Sequence, residues 1–282
     1  MNSKYQELCQ FFEIGLSKKY NFEESTIIFN YIFKSDFMQN IISNNLPLNL
    51  EGQSVWSKIL DDLLLGRPIQ YCLGESYFFD LVLYVDERVL IPRPETEELV
   101  DWCIRDNENN AECLTVLDIG TGSGAIPIQL AKKYPYWKIE SIDKYQDALD
   151  VANINTNKYK VEVQLTQLDF LRDYHTVKTK YDIVISNPPY ILDEEKKFMN
   201  PSVLDFEPLS ALFAEDLDPL IFYRKIAEFG QTNLKNNGRI YCEINEFHWE
   251  EIFKIFRENN YVNLEIRKDL QGKKRMIRAI RS

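Results

Sequence analysis

The chemistry of this chain is concentrated in Ser186-Asn187-Pro188-Pro189-Tyr190. Two consecutive prolines donate no backbone hydrogen bond and hold φ at about −65°, so the apolar run Tyr181 to Ile185 must end there as a short buried strand. The chain then leaves in a stiff, extended form that keeps Asn187 and Tyr190 in one relative geometry. Asn187 offers a carbonyl acceptor and an NH₂ donor, and the carbonyls of Pro188 and Pro189 are acceptors with no donor beside them. Tyr190 supplies a flat ring. These residues make a slot for a planar group bearing an NH₂, either a carboxamide or an exocyclic base amine. The plain alternative is a proline-rich turn after a core strand.

A second cluster lies upstream. Thr115 to Ile119 reads as a strand running into Gly120-Thr121-Gly122-Ser123-Gly124, followed by a helix from Ala125 to Tyr134. A glycine-rich strand-to-helix turn lets a ligand approach the backbone and points helix N-terminal amides at it. Asp143 lies about 20 residues beyond Gly124, at the tip of the strand Lys138 to Ile142, where an acid suits a ribose diol. A strand from Val161 to Leu165 leads to Leu168-Asp169-Phe170, where an adenine can lie against Phe170. Singly, Asp143, Asp169 and Phe170 are ordinary loop residues; their shared place after successive strands unites them.

Gly120-x-Gly122-x-x-Ala125 loosely fits a dinucleotide fingerprint, so a nicotinamide enzyme has to be weighed. Asp118 is the discriminator. A carboxylate just before the glycine loop repels a pyrophosphate and attracts a cationic amino group. S-adenosylmethionine carries an ammonium, a sulfonium, a ribose and an adenine, and fits Asp118, the glycine loop, Asp143 and Phe170. A methyl donor also accounts for an NH₂-sized slot at Asn187 on another strand tip.

The elements that must position these clusters follow from periodicity. Residues 1–74 look helical, with Leu8, Phe11, Phe12 and Leu16, then Ile27, Ile28, Tyr31 and Ile32, at three- and four-residue spacing. Glu23 and Glu24 favour a helix start, and a further helix spans Ser54 to Leu65, ended by Gly66. The period changes to two at Phe79, Leu81, Leu83 and Val85, predicting a strand or hairpin within a 75–92 linker. In Pro92-Arg93-Pro94-Glu95-Thr96-Glu97-Glu98 the prolines stiffen the path, and Thr96 with the acidic run sets up a helix. Arg93 reads equally as a substrate-facing cation or half of a structural ion pair.

From residue 93 to 282 strands and helices alternate, which implies a mostly parallel sheet with right-handed crossovers; the final hairpin adds an antiparallel strand. Residues 191–213 read as an irregular cover over the site. Helices are expected from Pro219 to Leu234 and from Phe247 to Asn259.

The whole chain has 282 residues, 45% of them hydrophobic and 27% charged, enough for one large α/β domain and a small companion. No apolar run approaches the ~18 residues of a membrane span, and the first residues lack a signal-peptide layout. Five scattered cysteines without a CxxC pair read as reduced thiols in a cytoplasmic protein. His175 and His248 lie far apart, so no His-based metal site or triad is expected. A net charge of −11 argues against gripping a nucleic-acid backbone. The stretch from Arg267 to Ser282 runs the other way, with seven Lys/Arg against Asp269. It is either a docking patch or the polar faces of terminal strands.

With these motifs in hand, the chain resembles the release-factor glutamine methyltransferase family. The likeness covers Gly66 to Tyr71, Leu90 to Glu97, Asp118 to Gly124, Asn187 to Tyr190, Phe206 to Leu212, and Lys268-Asp269-Leu270 with Arg275. Asn-Pro-Pro-Tyr is shared with adenine-N6 DNA and some ribosomal RNA methyltransferases, whereas Ile-Pro-Arg-Pro-Glu-Thr-Glu and Phe-Glu-Pro-Leu-Ser-Ala-Leu are far more specific.

The resemblance implies a Rossmann-like class I methyltransferase domain at 93–282, a mostly parallel seven-stranded sheet with an antiparallel last strand. Before it stand a helical substrate-recognition domain at 1–74 and the hairpin linker. It implies methyl transfer from S-adenosylmethionine to the side-chain nitrogen of the glutamine in the Gly-Gly-Gln loop of class 1 peptide chain release factors. The partner is then a protein, with no nucleic acid, membrane or metal, and the enzyme a cytoplasmic monomer. The alternative is an adenine-N6 or ribosomal RNA amino-methyltransferase. Cofactor contacts carry over to Gly120, Thr121, Gly122, Ser123, Gly124, Asp143, Phe170 (often Trp in relatives) and Asn187. Catalytic and substrate contacts carry over to Asn187, Pro188, Pro189 and Tyr190. One departure is Asn245, where the family usually has Gly.

Overall fold

A computed structural model describes residues 3–36, 38–39, 55–213 and 218–282. Helices α1 (Ser3–Leu16), α2 (Phe22–Lys34), α3 (Val55–Leu65) and α4 (Ile69–Leu73) precede a hairpin of β1 (Glu75–Phe78) and β2 (Leu81–Tyr84). Next come α5 (Pro94–Asp106), β3 (Thr115–Ile119), α6 (Ala125–Lys133), β4 (Lys138–Asp143), α7 (Gln146–Tyr159), β5 (Gln164–Gln167) and α8 (Phe170–Asp173). β6 (Tyr181–Ser186), α9 (Pro201–Phe206), α10 (Ile221–Asn233), β7 (Leu234–Glu243), α11 (Trp249–Glu258), β8 (Tyr261–Lys268) and β9 (Lys274–Arg281) complete the order.

The helical start obeys its local signals. Asn21 caps α2, accepting from Glu24 N at 2.9 Å while Glu24 Oε2 accepts from Asn21 N at 3.0 Å. The three- and four-residue spacing collects Leu8, Phe12, Leu16 and Ile32 against Trp56 and Leu63. The predicted start of α3 at Ser54 lies outside the described residues; its end is Gly66, left-handed at φ 99°. The hairpin turns at Phe79, which also takes positive φ, so that Phe78 pairs with Leu81.

Seven strands form one sheet in the order β5-β4-β3-β6-β7-β9-β8. β3 to β7 run parallel, and β9 is antiparallel to both of its neighbours. Strand alternation builds two cores. Val116, Ile139, Ile183 and Ile185 face α5, α6 and the hairpin, whereas Leu117, Ile142, Val184 and Ile240 face α10 and α11. Every parallel strand ends at the same edge, and that edge carries the glycine loop, Asp143 and Asn187.

Two expectations need correcting. β5 is Gln164–Gln167, later than the predicted Val161 to Leu165. Lys160 ends α7 in a left-handed turn, Val161 N still bonds Thr156 O, and Val161 and Val163 pack against the core below. The cover is not irregular. It is a string of short helices: a 3₁₀ turn Asp193–Phe198, then α9, then a 3₁₀ turn Leu209–Ala211. Pro201 stands at the first helical position and Asn200 Oδ1 accepts from Ser202 N at 2.9 Å, an N-terminal signature hidden in a polar stretch. The cover is fastened to the helical segment, since Ser202 Oγ donates to Gly66 O at 2.7 Å. No described helix is long and apolar enough to cross a membrane.

Candidate active site

A deep cavity opens at the carboxyl edge of the sheet, walled on one side by the loop from Gly120 to Ser123. Gly120 and Gly122 hold positive φ (78° and 52°), and a Cβ on either would meet nothing within 4 Å. The loop is thus an open backbone cradle that larger residues would strain and fill. Gly124 serves packing instead, because a Cβ there would press on Ile128 and Ala152.

Asp143 braces this cradle. Its Oδ2 accepts from Gly122 N and its Oδ1 from Tyr145 N, each at 3.0 Å. Burial raises its pKa, while the backbone amides of Gly122 and Tyr145 oppose the shift. Asp143 and Phe170 both line the cavity, and Phe170 is held edge-on by Phe229 at a centroid distance of 5.5 Å. The acid and the flat apolar ring therefore flank the loop as a ribose and a base require. The backbone cradle, an acid at the next strand tip and the flat ring are residues that fit S-adenosylmethionine.

Asp118 departs from expectation. It does not line the cavity; it is fully buried on β3, beneath the loop, on the strand face it shares with Val116. Ser141 Oγ donates to its Oδ2 at 3.1 Å, while Oδ1 and the Thr121 hydroxyl have no hydrogen-bond partner among the described residues. Burial pushes this carboxyl up to about 7, and the Ser141 hydroxyl opposes the shift.

A second cavity lies under the cover, lined by Tyr190, Met199, Asn200 and Val203. Asn187, Pro188 and Arg93 line both cavities; Pro189 faces the first and Tyr190 the second. Asn187 and Pro188 thus stand at the junction. Arg93 is half of an ion pair, its Nη2 2.6 Å from Glu207 Oε1, and Glu207 Oε2 accepts from Ile91 N at 3.2 Å.

Three residues here have roles that the sequence alone does not show. Thr96 reads from the sequence as part of a helix start, but Arg93 holds the N-cap position and Thr96 turns inward. Its Oγ1 accepts from Asn187 Nδ2 at 3.0 Å and donates to Glu243 Oε2 at 2.7 Å. Tyr190 OH donates to the other Glu243 oxygen at 2.7 Å. Burial raises the Glu243 pKa, opposed by the Tyr190 and Thr96 hydrogen bonds and the Arg275 charge. An acid closing the apolar strand Ile240 to Cys242 was the available signal. Asn245 is the third: its Nδ2 reaches Tyr190 O at 3.3 Å and Glu195 Oε1 at 3.1 Å, tying the Pro-Pro-Tyr exit to the cover.

Residues 105–202 match the model of the family described as Methyltransferase small domain. A release factor glutamine methyltransferase from Flavobacterium psychrophilum is 42% identical over 241 residues, covering 85% of this chain and 84% of that protein. The counterpart in Bacteroides thetaiotaomicron is 37% identical over 246 residues, covering 87% of each. This chain belongs to the release factor glutamine methyltransferase family. Among solved structures, the hMettl16 catalytic domain in complex with a 3′UTR hairpin superposes with a TM-score of 0.57 at 16% identity, over 88% of this chain and 91% of that one. A methyltransferase from Pyrococcus furiosus gives 0.52 at 14% identity, over 72% and 90%. At such identities the family's Rossmann-like methyltransferase fold is what is shared.

Proposed function

We propose that this chain methylates the side-chain nitrogen of the glutamine in the Gly-Gly-Gln loop of a class 1 peptide chain release factor, using S-adenosylmethionine. Family membership supports the reaction. The observation that carries the site assignment is the double exposure of Asn187 and Pro188, which face the cavity of the glycine loop on one side and a cavity under the cover on the other. Gly120 to Ser123, Asp143 and Phe170 would hold the cofactor, with Asp118 acting on the loop from below.

When bound, S-adenosylmethionine supplies an electrophilic methyl group. The protein's task is to present a poor nucleophile. An amide nitrogen has its lone pair delocalised into its carbonyl, so orientation matters more than basicity; positioning is worth roughly 7–11 kcal/mol in favourable cases. Asn187 Oδ1 and the Pro188 carbonyl each accept one N–H of the glutamine amide. The Tyr190 ring, fixed through its hydroxyl to Glu243, packs against the amide plane. The proton lost from nitrogen passes to water, since the scheme gives no side chain the role of general base.

Residues 1–74 recognise the body of the release factor, and the enzyme works as a cytoplasmic monomer. The test is incubation with methyl-labelled S-adenosylmethionine and a release factor, with duplex DNA and ribosomal RNA as parallel substrates. Label confined to the Gly-Gly-Gln glutamine supports the reading; label on nucleic acid alone overturns it.

A further inference from the structure

The direction of every hydrogen bond around Asn187 is set by one buried carboxylate. Glu243, only 2% exposed, has two oxygens that accept and nothing to donate while ionised. One takes the single hydroxyl proton of Thr96 and the other that of Tyr190, both at 2.7 Å. Having given its proton to Glu243, Thr96 Oγ1 can only accept from its other neighbour. That neighbour is Asn187 Nδ2, at 3.0 Å. The Asn187 amide therefore has its NH₂ turned inward, and its Oδ1 is the face left for the cavities.

We infer that Thr96 and Glu243 are positioning residues that fix the polarity of the Asn187 amide, so that the site accepts a substrate group donating N–H and rejects one offering only acceptors. This inference rests on the proposed glutamine reaction. A half-turn of the Asn187 side chain exchanges its oxygen and nitrogen with almost no change of shape, so packing alone specifies it poorly. An inward carboxylate on β7, relayed through one hydroxyl of α5, removes that ambiguity. The selected group is a primary carboxamide or an aromatic amine; a carboxylate of the same outline, such as glutamate, meets Asn187 Oδ1 and the Pro188 carbonyl with no proton to offer.

Three readouts test this on the full chain with an intact release factor. Thr96→Val keeps the shape and removes the relay. It should lower kcat by roughly 100-fold, with S-adenosylhomocysteine affinity within two-fold of wild type as the check on folding. Thr96→Ser restores the hydroxyl and should recover kcat to within a few-fold. The Thr96→Val/Glu243→Leu double variant should be no slower than the slower single variant, because both act through one amide. If Thr96→Val retains more than half of wild-type kcat, or if serine fails to rescue, the relay is overturned while the glutamine reading stands.

The third readout needs no turnover. In ¹⁵N-asparagine-labelled protein, with the signal assigned by Asn187→Ala, the inward Asn187 N–H should exchange slowly in wild type and Thr96→Ser, and fast in Thr96→Val. Equal exchange in all three overturns the relay. If the wild-type protein leaves the release factor unlabelled but this pattern holds, the glutamine reading fails and the relay survives.

Discussion

Arg93 and Glu207, far apart in sequence, meet at 2.6 Å and clasp the start of α5 to the cover. Glu207 is almost entirely buried, and its second oxygen holds the backbone of Ile91. The pair therefore joins two stretches that each looked like a motif in its own right. Arg93→Met would leave a buried acid without its cation. It should lower unfolding free energy by about 2 kcal/mol and raise KM for the release factor more than it lowers kcat. Denaturant unfolding beside steady-state kinetics checks it; unchanged stability would show that the clasp is idle.

Asn187→Ala removes the acceptor at the junction of the two cavities. Turnover should fall by at least about 100-fold, while S-adenosylhomocysteine affinity, measured calorimetrically, should stay within a few-fold because the glycine loop and Asp143 are untouched. A variant with near-normal turnover would contradict the scheme.

Glu243 carries the pH dependence of the site. Burial raises its pKa, and the groups facing it are Thr96 and Glu95 from α5, Tyr190 from the exit loop and Arg275 from β9. Its ionised form is present above that raised pKa and is lost as pH falls through it. Protonation turns one acceptor into a donor and lets Thr96 reverse. An acid limb in kcat should therefore appear above the ordinary carboxylate range. Glu243→Gln should flatten that limb and run several-fold slower at neutral pH. The pH–kcat profiles of the two proteins decide the matter; an identical acid limb in the variant would assign it to another group.

Asp118 gives the opposite kind of signal, in stability. Its folded pKa of about 7 lies above the unfolded value of roughly 4. The folded state thus holds more protons between those limits, and stability rises as pH falls from about 7 toward 4. Above 7 the buried charge opposes folding. Asp118→Asn should raise the melting temperature of the cofactor-free protein at pH 8 and flatten this slope. Thermal unfolding at a series of pH values tests it, and a slope unchanged in the variant would place the titration elsewhere.

Asn245 latches the cover. Its amide bridges Tyr190 O and Glu195, so Asn245→Gly should free the turn Asp193–Phe198 at a cost of about 1 kcal/mol. Limited proteolysis should then cut faster within residues 191–213, and KM for the release factor should rise. Equal cutting rates would mean that Ser202 and Arg93 suffice to hold the cover.

What could be read from the chain alone follows a physical divide. The glycine loop, Asp143, Phe170 and the Asn-Pro-Pro-Tyr slot are local devices, in which a few adjacent residues dictate a turn and the strand order does the rest. Thr96 and Glu243 were not legible because their meaning is a meeting. One opens a helix and the other closes a strand, and each has an adequate local explanation. Asp118 reads from the sequence as a carboxylate facing the ligand, yet it is buried beneath the loop, since a charged residue at a strand tip suggests a ligand before it suggests a neighbour's hydroxyl. The short helices of the cover were missed because none is long enough to show a period.

β9 occupies a place in space that differs from its place in time. It is the last strand of the described chain, yet it lies between β7 and β8 and is the only strand paired with β8 among the described residues. A chain halted before Lys274 would leave one whole side of β7 bare and β8 with nothing to pair, although the loop, the acid and the slot would already have been made. Assembly of this sheet is therefore a keystone problem, in which the pieces that hold the chemistry wait on a ribbon threaded between two others.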